Sequence, residues 1–351
     1  MLTSIIAFII VIAICVVVHE YGHYITARLL GVQVHEFAFG MGPVVRQRVS
    51  NKGQSRMLWS LRMLPIGGFC RLAGMGEDMD GENVLPGMGF NEQPAWKRFF
   101  ILLNGSLFNV ILALVLTVFF LCAHGVMDME STRIGEIMPG FPAEQAGLNV
   151  GDQITAVNGK AVTHWREMSE ALRSEGGRDA PVRLDVLRGE ERLTLELPIP
   201  VNKEYGRPML GVSPSMARYG IIEAMQSSVG YIWRMTKLML RGIADWLLQR
   251  QEVEVTGPVG IASMSGQAMR EGLWSFVSFL ALISLNLGLL NLFPIPALDG
   301  GRILFVLLEM LLRRRLPEKV ENWIHAAGFA VLIFLMLLIT FQDVYHLFWT
   351  K

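Results

Sequence analysis

At 351 residues, 52% of them hydrophobic, the chain is too apolar for an ordinary soluble enzyme and long enough for segments that meet different solvents. Its 31 basic and 31 acidic residues cancel, so it lacks the net positive field of nucleic-acid binders, and that class is set aside. The three cysteines, Cys15, Cys70 and Cys122, lie far apart, two of them inside apolar runs, and supply no disulfide framework.

Four stretches, roughly 2–27, 99–123, 272–298 and 326–342, are apolar and long enough to cross a hydrocarbon core about 30 Å thick. The first has no basic leader region and no small-residue cleavage site, and it reads as a retained span. Lysine and arginine collect in two links. The first carries Arg28, Arg46, Arg48, Lys52, Arg56, Arg62, Arg71, Lys97 and Arg98; the second carries Arg302, Arg313, Arg314, Arg315 and Lys319. The positive-inside rule then predicts that both links are cytoplasmic, and that residues 127–271 and both termini are outside.

After the first span, residues 34–69 hold strand-like pieces broken by Gly40, Gly42, Gly53, Gly67 and Gly68, which predicts a small sheet near the cytoplasmic surface. Beyond the second span the character changes. Asn158-Gly159 signals a tight hairpin, Val182, Leu184 and Val186 alternate with polar residues, and Leu193, Leu195 and Leu197 do so again. A small soluble β-rich domain with a helix near 165–172 is expected there. Met225, Val229, Ile232, Met239, Ile243 and Trp246 then recur at helical spacing opposite Arg234, Lys237, Arg241 and Asp245. Such a helix either lies on the outer leaflet or packs on the soluble domain. The expected divisions are 1–126, 127–202, 203–271 and 272–351.

The chemistry sits at the end of the first apolar run, in HEYGH. His19 and His23 are one helical turn apart and point the same way, as two nitrogens sharing one tetrahedral ion require. Glu20, beside the first ligand, can take a proton from water at that ion and pass it to a leaving amine. Three ionisable side chains in a span cost several kcal/mol without compensation, and a divalent cation is the compensation suited to two imidazoles. A catalytic zinc needs a third ligand. Asp299 is the candidate, in NLFPIPALDGG at the same side of the membrane, where Pro294 and Pro296 break the helix; its alternative role is to cap the helix that follows.

Together these residues resemble the site-2 protease family of intramembrane zinc metalloproteases, most closely its bacterial regulator-of-sigma-E type. HEYGH is similar to the family's H-E-x-G-H, NLFPIPALDGG to its proline-broken LDG motif, PIGGF at 65–69 to its Gly-Gly-Phe loop, TGPVGIA at 256–262 to a segment before the third span, and GFPAEQAGLNVGDQITAVNG to its PDZ domains. The resemblance implies an α-helical membrane protein with four transmembrane helices, a membrane-associated β-hairpin or sheet and one inserted β-rich PDZ domain. It implies one zinc ion on His19, His23 and Asp299, with Glu20 as base. Asn286 and Asn291, with the loop edge at Gly67, Gly68 and Phe69, would hold an unwound substrate strand. Substrates would be single-pass membrane proteins, such as anti-sigma factors or signal-peptide remnants, cut after another protease has shortened them in the bacterial inner membrane.

Two features depart from the family pattern. There is room for one PDZ domain where two are common, and NGSLFN at 104–109 stands where relatives show Gly-Pro before the asparagine. The PDZ domain would either bind a carboxyl terminus or exclude bulky ectodomains; exclusion is favoured because no peptide pocket maps from the strands. The competing class is a non-catalytic membrane scaffold with structural zinc. Glu20 counts against it, since a structural site has no use for a base. A metal transporter would spread ionisable residues through several spans, and spans two and four hold almost none.

Overall fold

A computed structural model describes residues 2–50, 56–75, 84–177, 180–203, 206–248, 256–315 and 317–349; Lys52 and Gly53 lie outside them. The chain divides into two compact units, 1–120 with 224–351, and 121–223.

The first unit opens with α1 (Leu2–Leu29), followed by β1 (Val34–Ser50), β2 (Met57–Leu72) and α2 (Ala95–Ala123). Ile and Val dominate α1 and would suit a strand in water. In hydrocarbon only a helix satisfies every backbone group within its own segment, and helix it is. The two strands are more than a hairpin. Both bend at their glycine- and proline-bearing middles, so that 34–39 pairs with 58–61 on one side and with 68–72 on the other, while 44–50 pairs with 57–62. Residues 68–72 therefore form an edge, with one strand neighbour among the described residues. Glu36, buried at the centre, accepts from Arg62 (2.7 Å), Arg71 (3.3 Å) and Ser60 and ties the layers together.

The second unit runs β3 (Val126–Met127), β4 (Ile134–Ile137), α3 (Pro142–Gln145), β5 (Gln153–Val157), β6 (Lys160–Ala161), α4 (Trp165–Glu175), β7 (Val182–Arg188), β8 (Glu191–Leu197), β9 (Val201–Asn202), β10 (Arg207–Pro208), β11 (Val212–Pro214) and β12 (Met216–Ala217). Its main sheet has the order β6-β5-β7-β8. Asn158 and Gly159 turn at φ 48° and 78° between Val157 and Lys160, the positive-φ pair that the Asn-Gly signal predicts. Ile134, Ile154, Met168, Val182, Leu184, Val186 and Ile199 make the core. A groove of about 230 Å³ runs between α4 and residues 207–212, lined by Trp165, Met168, Leu172, Arg173, Arg207 and Leu210. Asp152, 1% exposed, accepts from Arg188 Nε (2.9 Å) and Nη2 (2.8 Å) and from the Asn149 amide (2.8 Å).

The first unit then resumes with α5 (Ile221–Leu247), α6 (Pro258–Glu271), α7 (Leu273–Asn291), α8 (Asp299–Leu312) and α9 (Glu318–Trp349). Among the described residues, four helices have the length and apolar character to cross a membrane: α1, α2, α7 and the 319–343 part of α9. Hydropathy alone extends the third span to 298. The helix ends at Asn291, because the residues before Pro294 and Pro296 leave the α conformation, and a separate helix starts at Asp299. Met225 and Val229 on α5 are more than half exposed, in keeping with the apolar face expected of it. In TGPVGIA, the Asp343 carboxylate of α9 receives the amides of Gly257 (3.3 Å) and Gly260 (2.9 Å) and caps α6.

The Arg188 hydrogen bonds are the main cause that holds the Asp152 carboxyl below the usual carboxylate range. A depressed value contributes stability that is complete above the unfolded carboxylate value of about 4 and is lost as pH falls below it. Hydrogen exchange of the β5 and β7 amides should therefore lose protection below about pH 4. Asp152→Asn should show lower protection at neutral pH and a smaller acid step.

Candidate metal centre

His19 and His23 project from one face of α1, both at least nine-tenths buried. What lets them sit there is a close approach of α2. A methyl group at Gly22 would run into the backbone carbonyl of Asn104, and one at Gly105 would fall on the His23 ring. The glycine inside HEYGH is thus a contact requirement. His23 Nδ1 donates to the Ile101 carbonyl at 2.8 Å, which leaves Nε2 as a lone pair facing inward.

Asp299 arrives from the other end of the chain. The turn before it is folded tightly, with Ala297 at φ 81° and its amide donating to His325 Nδ1 of α9 at 2.9 Å. Side chains at Gly300 and Gly301 would collide with the backbone of Leu292, Phe293 and Ile295, and one at Gly328 would meet Pro296. A part-buried bond of 2.5 Å from Arg98 of α2 to Glu309 anchors α8 further along. The start of α8 is thereby held from α9 and its far end from α2.

The three ligand atoms form a small triangle. His19 Nε2 and His23 Nε2 are 3.2 Å apart, and Asp299 Oδ2 lies 2.9 Å from the first and 3.2 Å from the second. Bonds of about 2.0–2.1 Å to a tetrahedral zinc imply ligand-to-ligand edges of about 3.3 Å, close to those seen. Asp299 Oδ2 is buried and makes no hydrogen bond. Lone pairs so close repel one another unless a cation lies among them, so the donor set fits zinc. Among the described residues these are the three that converge as metal ligands.

Glu20 faces a different neighbour. Its Oε2 accepts the Cys70 amide at 2.9 Å, from the edge of the 68–72 strand. Residues two apart in a strand direct their backbone groups to the same edge, so Gly68 shares the edge that meets Glu20. The structure thus brings Glu20 and the Gly67–Gly68–Phe69 segment together. Phe69 is held under the Arg62 guanidinium, 4.8 Å from its ring centre. Asn286 lies within α7 and Asn291 at its last residue, both half-buried. The Ile101 carbonyl, the Cys70 amide and His325 escaped the sequence reading. Backbone groups carry no residue-type signal, and His325 stands just outside the fourth apolar stretch, where nothing in the sequence ties it to the turn before Asp299.

The Peptidase family M50 profile matches residues 7–335. Three relatives, each named "Putative zinc metalloprotease", align over nearly the whole chain. That of Fusobacterium nucleatum is 33% identical over 97% of this chain and 98% of its own length. That of Rickettsia conorii is 29% identical over 98% and 99%, and that of Clostridium perfringens 30% over 94% and 95%. Among solved structures, the PDZ domain of an SdrC-like protein from Listeria monocytogenes aligns with 24% of this chain and 85% of its own, at 21% identity and a TM-score of 0.21. The chain belongs to peptidase family M50, the site-2 proteases, and is a membrane metalloprotease.

Proposed function

We propose that this protein is a zinc-dependent endopeptidase that hydrolyses a peptide bond in or beside the transmembrane segment of single-pass membrane proteins. The observation that carries the reading is the triangle of His19, His23 and Asp299 with a carboxylate, Glu20, on the next position of the same helix. Held by these three ligands, one zinc ion would supply Lewis acidity to the scissile carbonyl and to water.

The chain's own groups do the rest. Glu20 takes the proton from the attacking water and delivers it to the leaving amine. The Cys70 amide holds that carboxylate in place. A helical substrate shields its own amides, so it has to be extended before attack, and the edge at Gly68 offers hydrogen bonds to replace those it loses. Asn286 and Asn291 on α7 hold the same extended strand. The cluster of lysine and arginine around the sheet and after α8 supports a cytoplasmic-side site with residues 127–271 outside, in a bacterial inner membrane.

Purified protein in detergent with a labelled transmembrane peptide tests the assignment. Glu20→Gln should keep one equivalent of zinc by elemental analysis while cleavage falls about 10²–10⁴-fold. Unchanged cleavage would remove Glu20 from its role. Asp299→Asn should lose metal and activity together; full zinc occupancy would mean that the third ligand is elsewhere. Gly105→Ala touches no substrate, yet it should lose zinc because its methyl displaces the His23 ring.

A further inference from the structure

The second ring nitrogen of His19 raises an unresolved demand. His19 Nδ1 lies 3.4 Å from Asn109 Nδ2, inside the packed contact of α1 and α2. A neutral histidine that gives Nε2 to a metal carries its proton on Nδ1. Two N–H groups facing each other cannot bond. The contrary arrangement, with Nδ1 accepting from the amide, puts the proton on Nε2, where it blocks the ligand atom.

Asn109 is itself completely buried, and its Oδ1 has no hydrogen-bond partner in that orientation. Half a turn of the amide exchanges its oxygen and nitrogen and offers the oxygen to His19 Nδ1–H. The residue is firmly seated for this. Its carbonyl accepts from Ser284 Oγ of α7 at 2.8 Å, and the absence of a side chain at Gly288 lets α7 pack against its Cβ. The other imidazole meets the same need by another route, through the Ile101 carbonyl. Ile101 and Asn109 are about two turns apart on α2, so one helix serves both rings.

We propose that Asn109 is a positioning residue of the metal centre, whose amide oxygen accepts from His19 Nδ1–H and so holds Nε2 toward the ion. A polar side chain buried in a span is costly, and this bond accounts for its presence. The proposal rests on the zinc reading above. Wild-type protein that takes up no zinc would defeat that reading, whereas the comparison of variants below bears on Asn109 alone.

The test uses the full chain in detergent, with zinc as the probe, and measures Kd by competition against a chromophoric chelator. Asn109→Leu, close in size but without an acceptor, should raise Kd about 10–100-fold. Asn109→Asp keeps an acceptor and should stay within threefold of wild type or bind more tightly. In cobalt-substituted protein the ligand-field bands should shift in the Leu variant and hold in the Asp variant. A Leu variant weakened less than tenfold overturns the proposal. Equal weakening by Leu and Asp also overturns it, because that result assigns Asn109 to packing. If Asn109→Leu does not fold, Asn109→Ala takes its place under the same criteria.

Discussion

Three lone pairs, two from α1 and one from the start of α8, meet within 3.2 Å of each other in a place with little water. This arrangement repels itself unless positive charge lies among the three atoms, which a dication supplies, and much of the first unit can be understood as the means of holding it in position. The thin contact between α1 and α2, made possible by Gly22 and Gly105, sets one side. The proline-broken turn, its brace from His325 and the Arg98–Glu309 bond set the other. The cost of converging like partial charges is met by packing around the site, and the ion converts the remainder into attraction.

The outer surfaces of the spans show the opposite economy. Ile5, Ile6, Ile10 and Ile14 of α1 and Phe329, Val331, Phe334 and Leu337 of α9 are exposed, an arrangement that water would punish and lipid tolerates. With no hydrophobic drive between helices in hydrocarbon, association depends on close backbone approach and on polar bonds such as Ser284 to the Asn109 carbonyl. The glycines at the α1–α2 and α2–α7 contacts are where that approach occurs.

Legibility in the sequence followed the range of the interactions. The turn spacing of His19 and His23, the Asn158-Gly159 hairpin and the four apolar spans are local patterns, and each appears where the residues suggest apart from the end of the third span. Asp299 was reachable because a carboxylate between a proline break and two glycines is unusual beside a span. The strand doubling of residues 34–72 was not, since period-two alternation cannot tell which neighbour a strand will choose on each side. The end of α7 was placed at 298 because hydropathy runs on through the prolines, although the rule for residues before proline pointed earlier. The groove beside α4 was also invisible, because its walls come from segments separated by some thirty residues in the chain. Asn109 did leave a trace: an amide inside a span is expensive enough to ask for a partner.

The ligands are distributed unevenly along the polypeptide, two of them near residue 20 and the last at 299. A ribosome making 5–20 residues per second delivers the aspartate on the order of tens of seconds after the histidines. Throughout that interval the emerging chain carries imidazoles and a base but no complete coordination sphere. A hydrolase assembled in this order has no complete set of metal ligands until residue 299 has left the ribosome.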